Sequence, residues 1–338
     1  MAKFWFNEKE RGSTSLLKLM RTLALCLGRQ YTSWLLPPIT LYYFIRAAAG
    51  RRGLRKYYSL LGLPSGNALI FQHYLRFAHT VLDRVYLFGF HPDAPPLKIR
   101  GWEPIQEERK RGRGCILLGA HLGSFEAVRA AGIEQPGLKI KAIISEQQSQ
   151  KINRTLAYLN PDVRTTTIPI GGIDSLLQLR DTLADGGLVG IMGDRIWRNE
   201  ATYHGHFLGR KTLFPQSPLR LAAALRAPVF FFSGLYRTDV DGSAYYDVAF
   251  ERLSASASEA ISRQQWIDDL GKKYVSTLER HCLIEPGNWF NFYDFWSHPT
   301  PTNKNYIDNL LSSRGTPGLR AAEVTASEQS PYQSRGPV

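Results

Sequence analysis

Six short apolar runs, rich in β-branched and aromatic residues, recur from about residue 114: 115–120 (CILLGA), 138–145 (LKIKAIIS), 165–170 (TTTIPI), 187–193 (GLVGIMG), 228–236 (PVFFFSGLY) and 245–251. Most are continuous rather than alternating, the pattern of strands covered on both faces. Stretches of helical character separate them, near 124–132, 149–159, 174–184, 217–226 and 259–280. Strand–helix alternation at this spacing implies βαβ units. The expectation is one α/β domain over 61–311, with a central, mostly parallel mixed sheet flanked by helices. In such a sheet ligands bind at the carboxyl ends of the strands.

The first sixty residues are different. They carry eleven Lys and Arg against Glu8 and Glu10, a surplus of nine out of a net charge of +13 for all 338 residues. Between Arg29 and Arg46 lie sixteen uncharged residues that include Trp34, Leu35, Leu36, Leu41, Tyr42, Tyr43 and Phe44. Apolar and aromatic residues beside a cation cluster suit a membrane interface. Residues 1–60 are therefore expected to form a hydrophobic, helical membrane segment, spanning or interfacial, with the body on the cytoplasmic side. Pro37-Pro38 interrupts a full span, and a pair of amphipathic helices docked on the protein's own core remains the other reading. The apolar run starts too late for a cleavable signal peptide. A nucleic-acid arm would not need sixteen uncharged residues, so no nucleic-acid partner is expected. The tail 312–338 is small, polar and Pro/Gly-rich, hence expected to be disordered. Cys26, Cys115 and Cys282 are isolated and odd in number, which favours free thiols over disulfides or structural zinc.

The chain lacks a GxSxG elbow, a GxxxxGK[ST] loop and a complete GxGxxG turn, so serine-hydrolase, ATP and NAD chemistry have no visible site and no cofactor is expected. What remains is Gly119-Ala-His-Leu-Gly-Ser-Phe-Glu126. His121 follows an apolar strand directly, Ser124 is placed to cap the next helix, and Glu126 falls in its first turn. This spacing lets Glu126 accept the Nδ1–H of His121, leaving Nε2 free to take a proton from a bound hydroxyl. A strand-end histidine bonded to backbone, with Glu126 merely favourable at the helix N-terminus, is the plainer alternative. A second strand ends in Gly193-Asp194-Arg195, where the arginine suits phosphate or developing negative charge.

These residues, with the Phe-Leu-Gly…Phe-Pro…Pro…Leu-Ala…Ala-Pro-Val blocks across 207–229, resemble the bacterial lysophospholipid acyltransferase superfamily, in particular its late lipid A (lauroyl/myristoyl-type) branch. The resemblance covers about residues 10–300 with block order kept. It implies an O-acyltransferase at the cytoplasmic face of a bacterial inner membrane. The histidine would be general base, the carboxylate of the HxxxxE pair would orient it, and the donor would be an acyl thioester on acyl carrier protein or CoA. Mapped here, His121 and Glu126 are catalytic, and Gly193, Asp194 and Arg195 bind substrate, Asp194 matching an acidic position of the later block. The acceptor would be a lipid A precursor or similar glycolipid. Another lipid hydroxyl (aryl-polyene-type pigment lipid, ornithine lipid or lysophospholipid), a phospholipase-like hydrolase and a catalytically silent lipid- or carrier-binding module stay open.

Two departures bear on this. An arginine found in lipid A enzymes just before the helix at 174–184 is replaced by Ile170-Gly-Gly-Ile173, so Arg164 is the substitute candidate for phosphate. The run Trp289–Trp296 holds six aromatics in eight residues, a packed edge segment or an acyl-groove wall, and looks more like the aryl-polyene-type branch. His204-Gly-His206 lacks a third ligand at convincing spacing, reads as a polar loop, and gives no metal site.

Overall fold

The computed structural model of the protein describes residues 14–89, 91–133, 140–145, 167–170, 172–196, 200–255 and 262–297. Its strands are β1 (Leu97–Arg100), β2 (Cys115–Gly123), β3 (Ile140–Ser145), β4 (Thr167–Ile170), β5 (Leu188–Met192), β6 (Thr202–Phe207), β7 (Arg210–Pro215), β8 (Val229–Thr238) and β9 (Ala244–Ser254). Seven of them form one sheet in the order β1-β9-β8-β2-β5-β3-β4, with β6 and β7 as a separate antiparallel hairpin. Every neighbouring pair in the large sheet is parallel except β8–β9. This is the expected mixed, mostly parallel sheet. Its central strand shows why the runs are continuous: Ile116, Leu118 and Ala120 enter the core on one face, Cys115 and Leu117 on the other.

The helices are α1 (Thr14–Ser33), α2 (Leu36–Arg46), α3 (Ala48–Leu60), α4 (Asn67–Gly89), α5 (Glu103–Lys110), α6 (Phe125–Ile133), α7 (Ile173–Ala184), α8 (Ser217–Leu225) and α9 (Arg263–Ile284). Helices α5 and α6 cover one face, while α7, α8, α9 and α3 cover the other. The expected helix at 149–159, Arg164 and the tail lie outside the described residues.

Three expectations change. First, among the described residues no helix is long and apolar enough to cross a membrane. The apolar stretch is divided, because α1 kinks at Gly28 (φ 77°) and Pro37-Pro38 sit in the first turn of a new helix, α2. Second, the boundary drawn at residue 60 crosses the core. Leu54, Tyr57 and Tyr58 of α3 are buried in the main cluster, and Lys56 pairs with Asp294 at 2.9 Å. Gly53 lies so close to the backbone of Tyr293 that a Cβ would collide with it, so α3 rests directly on the C-terminal segment. Helix α1 is fixed to α4 by Arg29, whose Nε and Nη2 donate to the fully buried Asp83 at 2.6 and 3.1 Å. Third, the His204-Gly-His206 segment is not a polar loop but part of the first strand of a hairpin over 202–215.

Candidate active site

β2 and β5 run side by side in parallel, with Gly119 opposite Met192 and the Gly193 amide donating to the Gly119 carbonyl at 2.8 Å. Both strands end at the same edge. His121 and Asp194, two residues beyond those partners, therefore meet across the strand pair. The ring Nδ1 of His121 lies 2.8 Å from Asp194 Oδ1, and the His121 amide donates to Asp194 Oδ2 at 3.0 Å. The histidine side chain keeps 32% of its surface exposed, whereas Asp194 is 2% exposed. The Nδ1 edge is thus turned into the protein. Nε2 has no hydrogen-bond partner among the described residues.

Glu126 does not fill the role the spacing suggested. Its Oε1 lies 3.2 Å from Arg84 Nε on α4, and Ser124 Oγ donates to its Oε2 at 3.3 Å. The reason is geometric. Gly123 takes φ +76°, where a Cβ would collide with the Gly234 carbonyl, and this turn leads from β2 into α6. Ser124 caps α6 as expected, its Oγ accepting from the Ala127 amide at 3.2 Å. The first turn then carries Glu126 toward α4.

The electrostatics follow from this arrangement. Burial and then Arg195 hold the His121 pKa below the ordinary 6.5, against the upward pull of the Asp194 charge and hydrogen bond; Arg84 adds a further downward push. The imidazole is accordingly neutral at neutral pH. Burial would raise Asp194, but the charge and hydrogen bonds of His121, together with Arg195, outweigh it and hold the carboxyl at about 2. A carboxylate at that position needs the N–H tautomer at Nδ1, which leaves the lone pair on Nε2.

Of the other predicted residues, Gly193 packs where a Cβ would press on Leu118 and the Tyr274 ring, which accounts for a glycine there. Arg195 donates from Nη2 to the Phe290 carbonyl at 3.0 Å. Two residues that sequence reasoning did not place at the site are Arg84 and Trp289, the latter donating from Nε1 to Asp194 Oδ2 at 3.2 Å. A cavity of about 330 Å³ elsewhere, bordered by Tyr58, His73, Arg76 and Glu285, does not include His121. Among the described residues no cluster of His, Cys, Asp and Glu is arranged to hold a metal.

The profile of the bacterial lipid A biosynthesis acyltransferase family matches residues 69–281, more than half of the chain and all seven strands of the large sheet. The chain belongs to that family. Membership makes it an acyltransferase of lipid A biosynthesis type, an enzyme that transfers acyl groups to a lipid. No curated protein matches the chain. In this acyltransferase the matched region contains both His121 and Asp194, while α1–α3 and the aromatic run 289–296 lie outside it.

Proposed function

We propose that the protein transfers a fatty acyl group from an acyl thioester, carried by acyl carrier protein or CoA, to a hydroxyl of a lipid A precursor or similar glycolipid. This would be the work of the late, lauroyl/myristoyl-type branch, at the cytoplasmic face of a bacterial inner membrane. The observation that carries the reading is the partly exposed His121 held at Nδ1 by Asp194, at the carboxyl edge of the sheet. Nε2 takes the acceptor proton while the oxygen bonds to the thioester carbonyl carbon. The tetrahedral centre then collapses, the C–S bond breaks, and the proton on Nε2 passes to the leaving thiolate. A general base of this kind supplies about 10²–10⁴-fold, and holding the two lipids together supplies much of the rest. Asp194 is a positioning residue in this scheme. Arg195, with Arg84 held by Glu126, provides positive charge for phosphates of the acceptor or of the pantetheine arm.

Membrane attachment is supported by what α1 and α2 leave uncovered. Leu27, Tyr31, Trp34, Leu41, Tyr42 and Ile45 are exposed, Trp34 at 68% and Ile45 at 63%, and Arg46 and Arg52 follow them on the surface. Aromatic and aliphatic side chains beside arginines suit an interface with anionic lipid rather than a span.

The test is transfer from a radiolabelled acyl thioester to a lipid A precursor by purified protein, compared with H121A. Acylated lipid with the wild type, reduced at least 100-fold by H121A, is expected. Equal turnover by H121A would remove the base assignment, and free fatty acid as the sole product would make the enzyme a hydrolase.

A further inference from the structure

The carboxylate that grips His121 is itself gripped, and from a part of the chain outside the family match. Asp194 Oδ2 receives two donors, the His121 amide at 3.0 Å and the Trp289 indole N–H at 3.2 Å, while Oδ1 faces Nδ1. The amide donor belongs to the backbone of β2 and holds the oxygen from one side. The indole holds the same oxygen from the C-terminal segment.

Everything around Trp289 holds that indole still. The ring is fully buried, with the rings of Tyr57, Phe207 and Phe295 at 5.0, 5.2 and 5.0 Å between centroids. Its backbone forms an antiparallel bridge to Leu122, and the Phe290 amide donates to the His121 carbonyl at 2.8 Å, so 289–290 lies along the end of β2. One residue earlier, Asn288 clasps β8: its Oδ1 accepts from the Tyr236 amide at 2.8 Å and its Nδ2 donates to the Tyr236 carbonyl at 3.2 Å. One residue later, the Phe290 carbonyl receives Arg195. Three consecutive residues thus join β8, β2 and the segment after β5.

We infer that Trp289 is a positioning residue of the acyltransferase, its indole N–H fixing Asp194 so that Oδ1 stays on Nδ1 of His121. The aromatic run is then neither an acyl-groove wall nor only core, but a clamp that completes the site from the C-terminal side. Two donors on Oδ2 and one on Oδ1 leave the buried carboxylate a single favourable rotation about its last bond. This rests on the proposed role of His121 as base.

The test compares W289F and, because a smaller ring can loosen the core, a variant carrying benzothienylalanine at 289. There a sulfur replaces the ring N–H with the shape kept. Both are expected to lower kcat about tenfold with KM within twofold of wild type. Placed on D194N, neither should lower the residual rate further, because the indole acts through that carboxylate. A merely structural role would instead multiply the two losses. Wild-type kcat in the isosteric variant, or the same fractional loss with and without D194N, overturns the inference. If H121A is inactive while the isosteric variant keeps full rate, only this inference fails; an active H121A removes the reading beneath it as well.

Discussion

Exchanging the carboxyl groups of Asp194 and Glu126 for amides, one at a time, separates the partner suggested by sequence spacing from the one the fold supplies. In D194N the amide must satisfy the two donors that converge on Oδ2, the His121 amide and the Trp289 indole. It does so only by putting its carbonyl oxygen there, which turns its NH₂ toward Nδ1, 2.8 Å away in the wild type. Nδ1 must then accept, and the ring proton moves to Nε2. The histidine keeps its place but presents N–H where a lone pair is needed, the wrong-tautomer effect known for the equivalent change in the serine-protease triad. The loss is the general-base contribution, about 10³-fold in kcat or ~4 kcal/mol of barrier. KM should hardly move. E126Q, by contrast, removes an ion pair to Arg84 that is 3.2 Å long and 45% exposed on the arginine side, so a change of about threefold or less is expected. Initial rates of acyl transfer, with matched melting temperatures as control, decide it. A loss of 100-fold or more in E126Q beside a mild D194N would refute the assignment and restore Glu126 as the partner.

Other outcomes follow from the same geometry. Arg29→Met removes the only cation paired with the fully buried Asp83 among the described residues, leaving the Tyr246 hydroxyl at 2.9 Å as its donor, and should cost about 3–5 kcal/mol, lowering Tm by roughly 10 °C in a thermal melt; the double change with Asp83→Leu should recover most of it, and failure to do so would deny the pair its structural role. His73 is buried, and burial holds its pKa at about 3 against an ordinary 6.5. Below pH 6.5 the unfolded chain therefore binds a proton that the folded one refuses, and stability falls by up to about 1.4 kcal/mol per pH unit until pH is near 3. His73→Gln should flatten that slope in urea titrations across pH 4–6.5, and an unchanged slope counts against it. Replacing Trp34, Tyr42 and Ile45 together by Ser should weaken binding to anionic phospholipid vesicles at least tenfold with Tm unchanged; undiminished co-sedimentation would rule out the α1–α2 face as the contact.

How much of this was legible beforehand differs from element to element. Continuous apolar runs separated by helical stretches are enough to specify a parallel sheet, since only strands covered on both faces can be apolar throughout. The hairpin β6–β7 escaped because its turn is Leu208-Gly209 with φ of 51° and 72°. A leucine in the left-handed region is an uncommon choice for such a turn, and Asn-Gly or Asp-Gly would have announced it. The N-terminal composition showed the apolar and aromatic residues, several of which α1 and α2 leave exposed. It could not say that Arg29 would find Asp83, that Gly28 would break the helix, or that α3 would join the core.

The order of residues along the chain determined where the imidazole stands: His121 near the end of an apolar strand, followed by a capped helix, lies at a sheet edge in a fold of this class. Which carboxylate reaches it was decided by strand order. Placing β5 next to β2 brings Asp194 within 2.8 Å of His121 across 73 residues, whereas Glu126, five residues away, pairs with Arg84 on α4. Local spacing limits which neighbours a side chain can reach. The packing of distant segments, here the end of β5 and the aromatic run at 289–296, settles which of them it meets.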